Sequence, residues 1–260
     1  MKIRLPFPRL ALLVAGLCGA LLFTASCTTT PQIDPALLNP VTNSALRPEP
    51  RTPGWVKRHE GFVAIAKQGS VDVLFLGDSI TDFWRDRGKK VWDENYAPLH
   101  AANFGISGDR TQHVLWRMQN GELDGLAPKL VVLMIGTNNT GFENDKVTPR
   151  NTVPQTIEGV KAVVRGLRAK LPGAKILLLA VFPRGEKPDN PQRLQTIEIN
   201  HGIASLDDGK FVRYLDIGPK FLTADGTLTK EIMPDFLHPN LHGYEIWAEA
   251  IRAPLAEMLK

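Results

Sequence analysis

Val71-Asp72-Val73-Leu74-Phe75-Leu76 runs directly into Gly77-Asp78-Ser79-Ile80. The first six residues are almost continuously apolar, the pattern of a strand covered on both faces. The residues that follow are turn formers, with a hydroxyl among them. Working outward, Leu99–Phe104, Leu130–Ile135 and Lys175–Val181 repeat the strand pattern, and Phe211–Asp216 repeats it more weakly. Helical spacing of apolar residues appears over Trp55–Lys67 and near 110–120, 152–171, 191–206 and 242–259. Strand and helix in alternation predict an α/β fold: a five-stranded parallel sheet with helices on both faces.

In such sheets ligands bind outside the carboxyl ends of the strands. The polar motifs of this chain fall there. Gly77-Asp78-Ser79 follows the first strand, Asn103-Phe104-Gly105-Ile106-Ser107-Gly108-Asp109 the second and Gly136-Thr137-Asn138-Asn139 the third. Phe182-Pro183-Arg184-Gly185 follows the fourth, and Asp235-Phe236-Leu237-His238 lies beyond the fifth. A serine hydroxyl becomes a nucleophile when an imidazole accepts its proton and a carboxylate orients that imidazole. Ser79, His238 and Asp235 are the candidates for those roles. The Ser79 and Gly108 backbone N–H groups and the Asn138 side-chain amide are candidate donors to a developing oxyanion. Asp78 reads as a carboxylate that braces the turn, and Asp109 with Arg110 as a surface pair or a loop support. Arg184 is a candidate for substrate contact or for an ion pair with Glu186.

The N-terminus reads as a targeting segment. Lys2, Arg4 and Arg9 precede an apolar stretch of 14 residues, Leu10 to Phe23, short for a membrane span and right for a signal peptide over residues 1–26. Thr24-Ala25-Ser26-Cys27 resembles a bacterial lipoprotein box, which would make Cys27 the lipidated N-terminus, with Thr24 where an aliphatic residue is usual. Plain secretion and an uncleaved anchor are the alternatives, the short apolar run standing against the latter. Residues 27–53, rich in proline, read as a tether, and 54–260 as the folded domain. The formal net charge of +4 falls to +1 once the three basic residues of the signal are set aside, so no nucleic-acid partner is expected. Cys18 lies in the signal, and with Cys27 lipidated no thiol remains for a disulfide, a metal or a nucleophile. The remaining histidines lack the spacing of a metal site.

The blocks Gly77-Asp78-Ser79-Ile80, Gly108, Gly136-Thr137-Asn138-Asn139 and Asp235-Phe236-Leu237-His238 resemble those of the SGNH (GDSL) hydrolases. The stretch Asn103–Arg117, together with Asn120-Gly121-Glu122-Leu123 and Pro183–Pro188, is similar to the branch containing the platelet-activating-factor acetylhydrolase catalytic subunits. Over about residues 55–259 the resemblance implies a flavodoxin-like sheet, a Ser79–His238–Asp235 triad, an oxyanion hole from Ser79, Gly108 and Asn138, and no metal or organic cofactor. Ser107 departs from a glycine common in that turn, and the signal and tether set this chain apart from the intracellular enzymes.

These readings converge on an exported esterase of short acyl groups, with acetylated carbohydrate as the expected substrate. A lysophospholipase, an acyltransferase and a glycan-binding lipoprotein without turnover are the alternatives. Trp84, Trp92 and Trp116 offer either a sugar platform or core packing. The oligomeric state carries no signature in the sequence.

Overall fold

The computed structural model describes Met1 and residues 33–260; residues 2–32, on which the expected signal peptide and the expected lipidation site Cys27 fall, lie outside the described residues. In chain order the elements are α1 (Pro35–Leu38), α2 (Pro53–Gln68), β1 (Val73–Gly77), α3 (Ser79–Asp82), α4 (Lys89–Asn95), β2 (Ala101–Gly105) and α5 (Thr111–Gln119). They continue with β3 (Leu130–Met134), α6 (Val153–Lys170), β4 (Lys175–Leu179), α7 (Pro191–Ala204), β5 (Val212–Leu215) and α8 (Leu241–Met258).

The five strands form one sheet in the order β2-β1-β3-β4-β5, with every pairing parallel. This is the flavodoxin-like order, and it reverses direction between β1 and β3, where a crevice opens at the strand ends. Alternation along each strand divides the core. Leu74, Leu76, Val131, Leu133, Ile176 and Leu178 face Phe62 of α2, Val114 of α5 and Val160 of α6. Val73, Phe75, Leu130, Val132, Leu177 and Leu179 face Trp84 and the α8 residues Tyr244, Trp247 and Ile251. Both faces of the central strands β1 and β3 are dry, which is why those strands are apolar without a break, while the edge strands β2 and β5 are only partly buried and carry Asn103 and Arg213. The second strand starts later than its sequence pattern: Ala97–Leu99 is a 3₁₀ turn, closed by His100 in a left-handed conformation at φ 49°.

Trp84 is fully buried and packs against Phe75, Tyr244 and Trp247. Trp92 joins the same cluster, and Trp116 packs on Trp55 and His59. Packing is therefore the role of all three.

The tether reading needs correction from residue 34 onward, because residues 34–260 form one compact unit. Asn43 is fully buried; its amide donates to the carbonyls of Leu37 (2.8 Å) and Gln155 (3.2 Å), and its Oδ1 accepts from Ala45 N–H. The Ala45 carbonyl accepts from Thr111 Oγ1 at 2.9 Å, and Asn151 Nδ2 donates to Ser44 Oγ at 2.9 Å. This segment is ordered by side-chain-to-backbone hydrogen bonds rather than by an apolar stripe, so composition gave it the look of a linker. Two of its prolines, Pro35 and Pro53, open helices α1 and α2, where a missing N–H costs nothing.

Candidate active site

The crevice side of the sheet is built from the ends of four strands and the turn before α8. At the end of β1, a Cβ on Gly77 would collide with the Met134 carbonyl and with Thr81 Oγ1, so only glycine lets β3 and α3 close on it. Asp78 is the N-cap of α3, its Oδ1 accepting from Ile80 N–H at 3.0 Å. Ser79 is therefore the first residue of the helix, with a backbone N–H that has no intrahelical acceptor. α3 is fastened from α8 by Tyr244, whose hydroxyl donates to the Ile80 carbonyl at 2.7 Å.

Ser79 Oγ lies 2.8 Å from His238 Nε2, and His238 Nδ1 lies 2.7 Å from Asp235 Oδ2. Asp235 Oδ1 accepts from the backbone N–H groups of Leu237 (3.1 Å) and His238 (2.8 Å). With a carboxylate on Nδ1, the ring proton belongs there, leaving Nε2 to accept from Ser79. Partial burial works against ionising Asp235, but its side-chain and backbone hydrogen bonds with His238 prevail and hold the pKa below its ordinary value. The three-residue spacing closes through Phe236, which takes a left-handed φ of 55° while its carbonyl accepts from Gly185 N–H at 2.8 Å. The Phe83 ring packs at a tilt against the imidazole, 5.1 Å between centroids.

Gly108 adopts φ 81°, a conformation glycine reaches without a Cβ penalty. Ser107 beside it donates both N–H (3.0 Å) and Oγ (2.7 Å) to Asp82 Oδ2, and Arg58 and Arg85 bind the other oxygen of Asp82. The departure from glycine at 107 thus adds an anchor. On the other flank the buried Asp109 carboxylate accepts from Trp55 Nε1 (2.6 Å) and Arg51 Nη1 (3.2 Å) and lies 3.0 Å from Arg117 Nε. Burial raises its pKa, with Arg117, Trp55 and Arg51 opposing. Asp109 is the loop support; it does not pair with Arg110, which binds Glu143 through both guanidinium nitrogens at 2.5 and 2.6 Å.

Asn138 Nδ2 donates to the Asp109 carbonyl at 3.0 Å, joining the loops after β2 and β3 and leaving one amide hydrogen for another acceptor. Arg150 Nη1 holds the Asn138 carbonyl at 3.0 Å. Arg184 Nη1 reaches Thr137 O (3.1 Å), Thr137 Oγ1 (3.2 Å) and Thr140 Oγ1 (3.3 Å) in place of the ion pair with Glu186. The sequence reading missed Arg51, Trp55, Asp82 and Arg150; the partners of Arg51 and Trp55 lie more than 50 residues away and leave no local pattern. A groove of about 670 Å³ lined by Phe62, Trp92, Ala101 and neighbouring residues lies at the β2 edge, and Ser79, His238 and Asp235 are not among its lining residues. The Ser79–His238–Asp235 arrangement lies at the strand ends, outside that groove.

The model of the GDSL-like Lipase/Acylhydrolase family matches residues 75–246. The chain is 42% identical over 185 residues to the platelet-activating factor acetylhydrolase IB subunit alpha2 of Gallus gallus, covering 71% of this chain and 76% of that protein. It is 38% identical over 206 residues to the human alpha1 subunit, covering 79% and 84%. Among solved structures, an acetylxylan esterase from Geobacillus stearothermophilus superposes with a TM-score of 0.56 at 20% identity, covering 74% of this chain and 96% of that one. Another acetyl xylan esterase gives 0.58 at 22%, covering 70% and 98%; at these identities the likeness is one of fold. The chain belongs to the GDSL-like lipase/acylhydrolase family, as a carboxylic ester hydrolase related to the platelet-activating-factor acetylhydrolase subunits.

Proposed function

We propose that the protein is an exported serine esterase that removes short acyl groups, foremost acetyl, from hydroxyls of carbohydrate, using Ser79, His238 and Asp235. The observation that carries this reading is the unbroken relay from Ser79 Oγ through His238 to Asp235 at 2.8 and 2.7 Å. In the first half-reaction Ser79 Oγ attacks the ester carbonyl while His238 Nε2 takes its proton. Asp235 stabilises the imidazolium and keeps its proton on Nδ1. The oxyanion is received by the Ser79 and Gly108 N–H groups and by the free amide hydrogen of Asn138, each worth about 3–4 kcal/mol in the transition state. Collapse breaks the C–O bond, and His238 returns the proton to the departing alcohol. Water then attacks acyl-Ser79, gives its proton to His238, and the acid leaves as that proton returns to Ser79.

The acetyl preference is supported by relatives named as acetylhydrolases, and the carbohydrate by the expected export together with the acetylxylan esterases of the same fold. Export rests on the signal-like residues 1–26, and anchoring on lipidation of Cys27.

A series of p-nitrophenyl esters of increasing acyl length tests this reading. Activity is expected to be greatest on acetate and to fall by on the order of 10⁴-fold or more in Ser79→Ala and His238→Ala. Activity surviving in Ser79→Ala would remove the mechanism. Preference for long acyl chains would move the substrate from acetylated sugar to lipid.

A further inference from the structure

We infer that Arg51 is a positioning residue of this active site, holding Gly108 in the conformation that presents its N–H to the oxyanion. Arg51 precedes the part of the chain matched by the family, residues 75–246, and lies in the segment whose composition reads as a tether. The inference rests on the reading of Gly108 as an oxyanion donor.

One guanidinium nitrogen, Nη1, donates to the Ser107 carbonyl at 2.8 Å and to Asp109 Oδ1 at 3.2 Å. Arg51 therefore grips the residues on both sides of Gly108. The plane of the group lies against Gly108 itself: a Cβ built there would stand 2.8 Å from Nη2, 3.2 Å from Nη1 and 3.3 Å from Cζ. Gly108 is thus constrained twice, by its φ of 81° and by the cation stacked on it. The turn's own hydrogen bonds pass through Ser107, held by Asp82, and through Asp109 N–H, which donates to Ile106 O at 3.1 Å. Among the described residues the Gly108 N–H has no acceptor of its own. The flanks are fixed and the central donor is left open, the arrangement of a donor prepared before substrate arrives.

Arginine suits this place because Nη1 meets a carbonyl and a carboxylate while Nη2 and Cζ of the same planar group fill the space beside Gly108, which a compact ammonium on a flexible stem does not. Its approach is prepared locally. Pro50 and Pro53 bracket it and restrict the backbone around it, and Thr52 then leads into α2, whose Trp55 binds the same Asp109 oxygen.

The test is steady-state kinetics on p-nitrophenyl acetate. Arg51→Met is expected to lower kcat by about 10- to 100-fold with KM within about twofold, since a misplaced donor weakens the transition state and not ground-state binding. Arg51→Lys, which keeps the charge but not the planar group beside Gly108, is expected to remain impaired. Added guanidinium is expected to restore part of the kcat of Arg51→Ala. Gly108→Ala should lose activity, and the Arg51→Ala/Gly108→Ala pair should lose less than the product of the two single losses, because the methyl then has room. Wild-type kcat in Arg51→Met or Arg51→Lys, or a strictly multiplicative cycle, would overturn the inference while leaving the triad intact. Activity in Ser79→Ala would instead overturn the esterase reading, and the inference with it.

Discussion

Asp78 stands between β1 and Ser79 with no solvent exposure, and its Oδ2 has no hydrogen-bond partner among the described residues. Burial pushes its pKa up to about 7, outweighing the hydrogen bond from Ile80 N–H. The neutral acid therefore persists in the fold at pH values where the unfolded chain has ionised. Below about pH 4 the group is protonated in both states. From there to about pH 7 the native state binds more protons, so stability falls as pH rises. Asp78→Asn keeps the acceptor for Ile80 and removes the titration. Denaturant unfolding at pH 5 and pH 8 should show wild type losing stability relative to the variant as pH rises, by up to roughly 4 kcal/mol over the full window. A difference that is the same at both values would mean that Asp78 titrates normally.

Between elements, the short loop after β4 does more than connect. Arg184 reaches the loop after β3 at Thr137 and Thr140, while Gly185 N–H holds Phe236 O in the turn that carries Asp235 and His238. Arg193 of α7 braces this loop through the carbonyls of Arg184 (3.0 Å) and Gly185. Two neighbouring residues thereby link the loop bearing Asn138 to the turn bearing Asp235 and His238. Arg184→Met leaves the Thr137 carbonyl without its charged donor. It should cost about 2 kcal/mol, or roughly 4–8 °C of Tm in a domain of this size, together with a loss of kcat. Melting and kinetics equal to wild type would show that the link carries no load. The contacts of Arg184 could not be chosen from sequence, because Glu186 is the nearer partner along the chain and Thr137 the nearer one in space.

At the scale of the whole molecule, docking of residues 34–53 shortens the proposed anchor. Six residues, 28–33, separate Cys27 from the folded unit that begins at Asp34; fully extended they span about 20 Å, against roughly 90 Å for the tether read from composition. Labelled palmitate should be incorporated by wild type and not by Cys27→Ala; equal labelling would remove the anchor. The strands, their common rim and the juxtaposition of Ser79, His238 and Asp235 were legible in the sequence alone. A strand dry on both faces is apolar without a break, and a motif that closes within a few residues leaves its spacing in the chain. Only the tertiary structure decided the membership of residues 34–53 in the domain and the contacts of Arg51, Asp82, Asp109, Arg150 and Arg184. Those depend on polar groups that meet across long separations, and a hydrogen bond between distant residues imposes no period on the sequence between them.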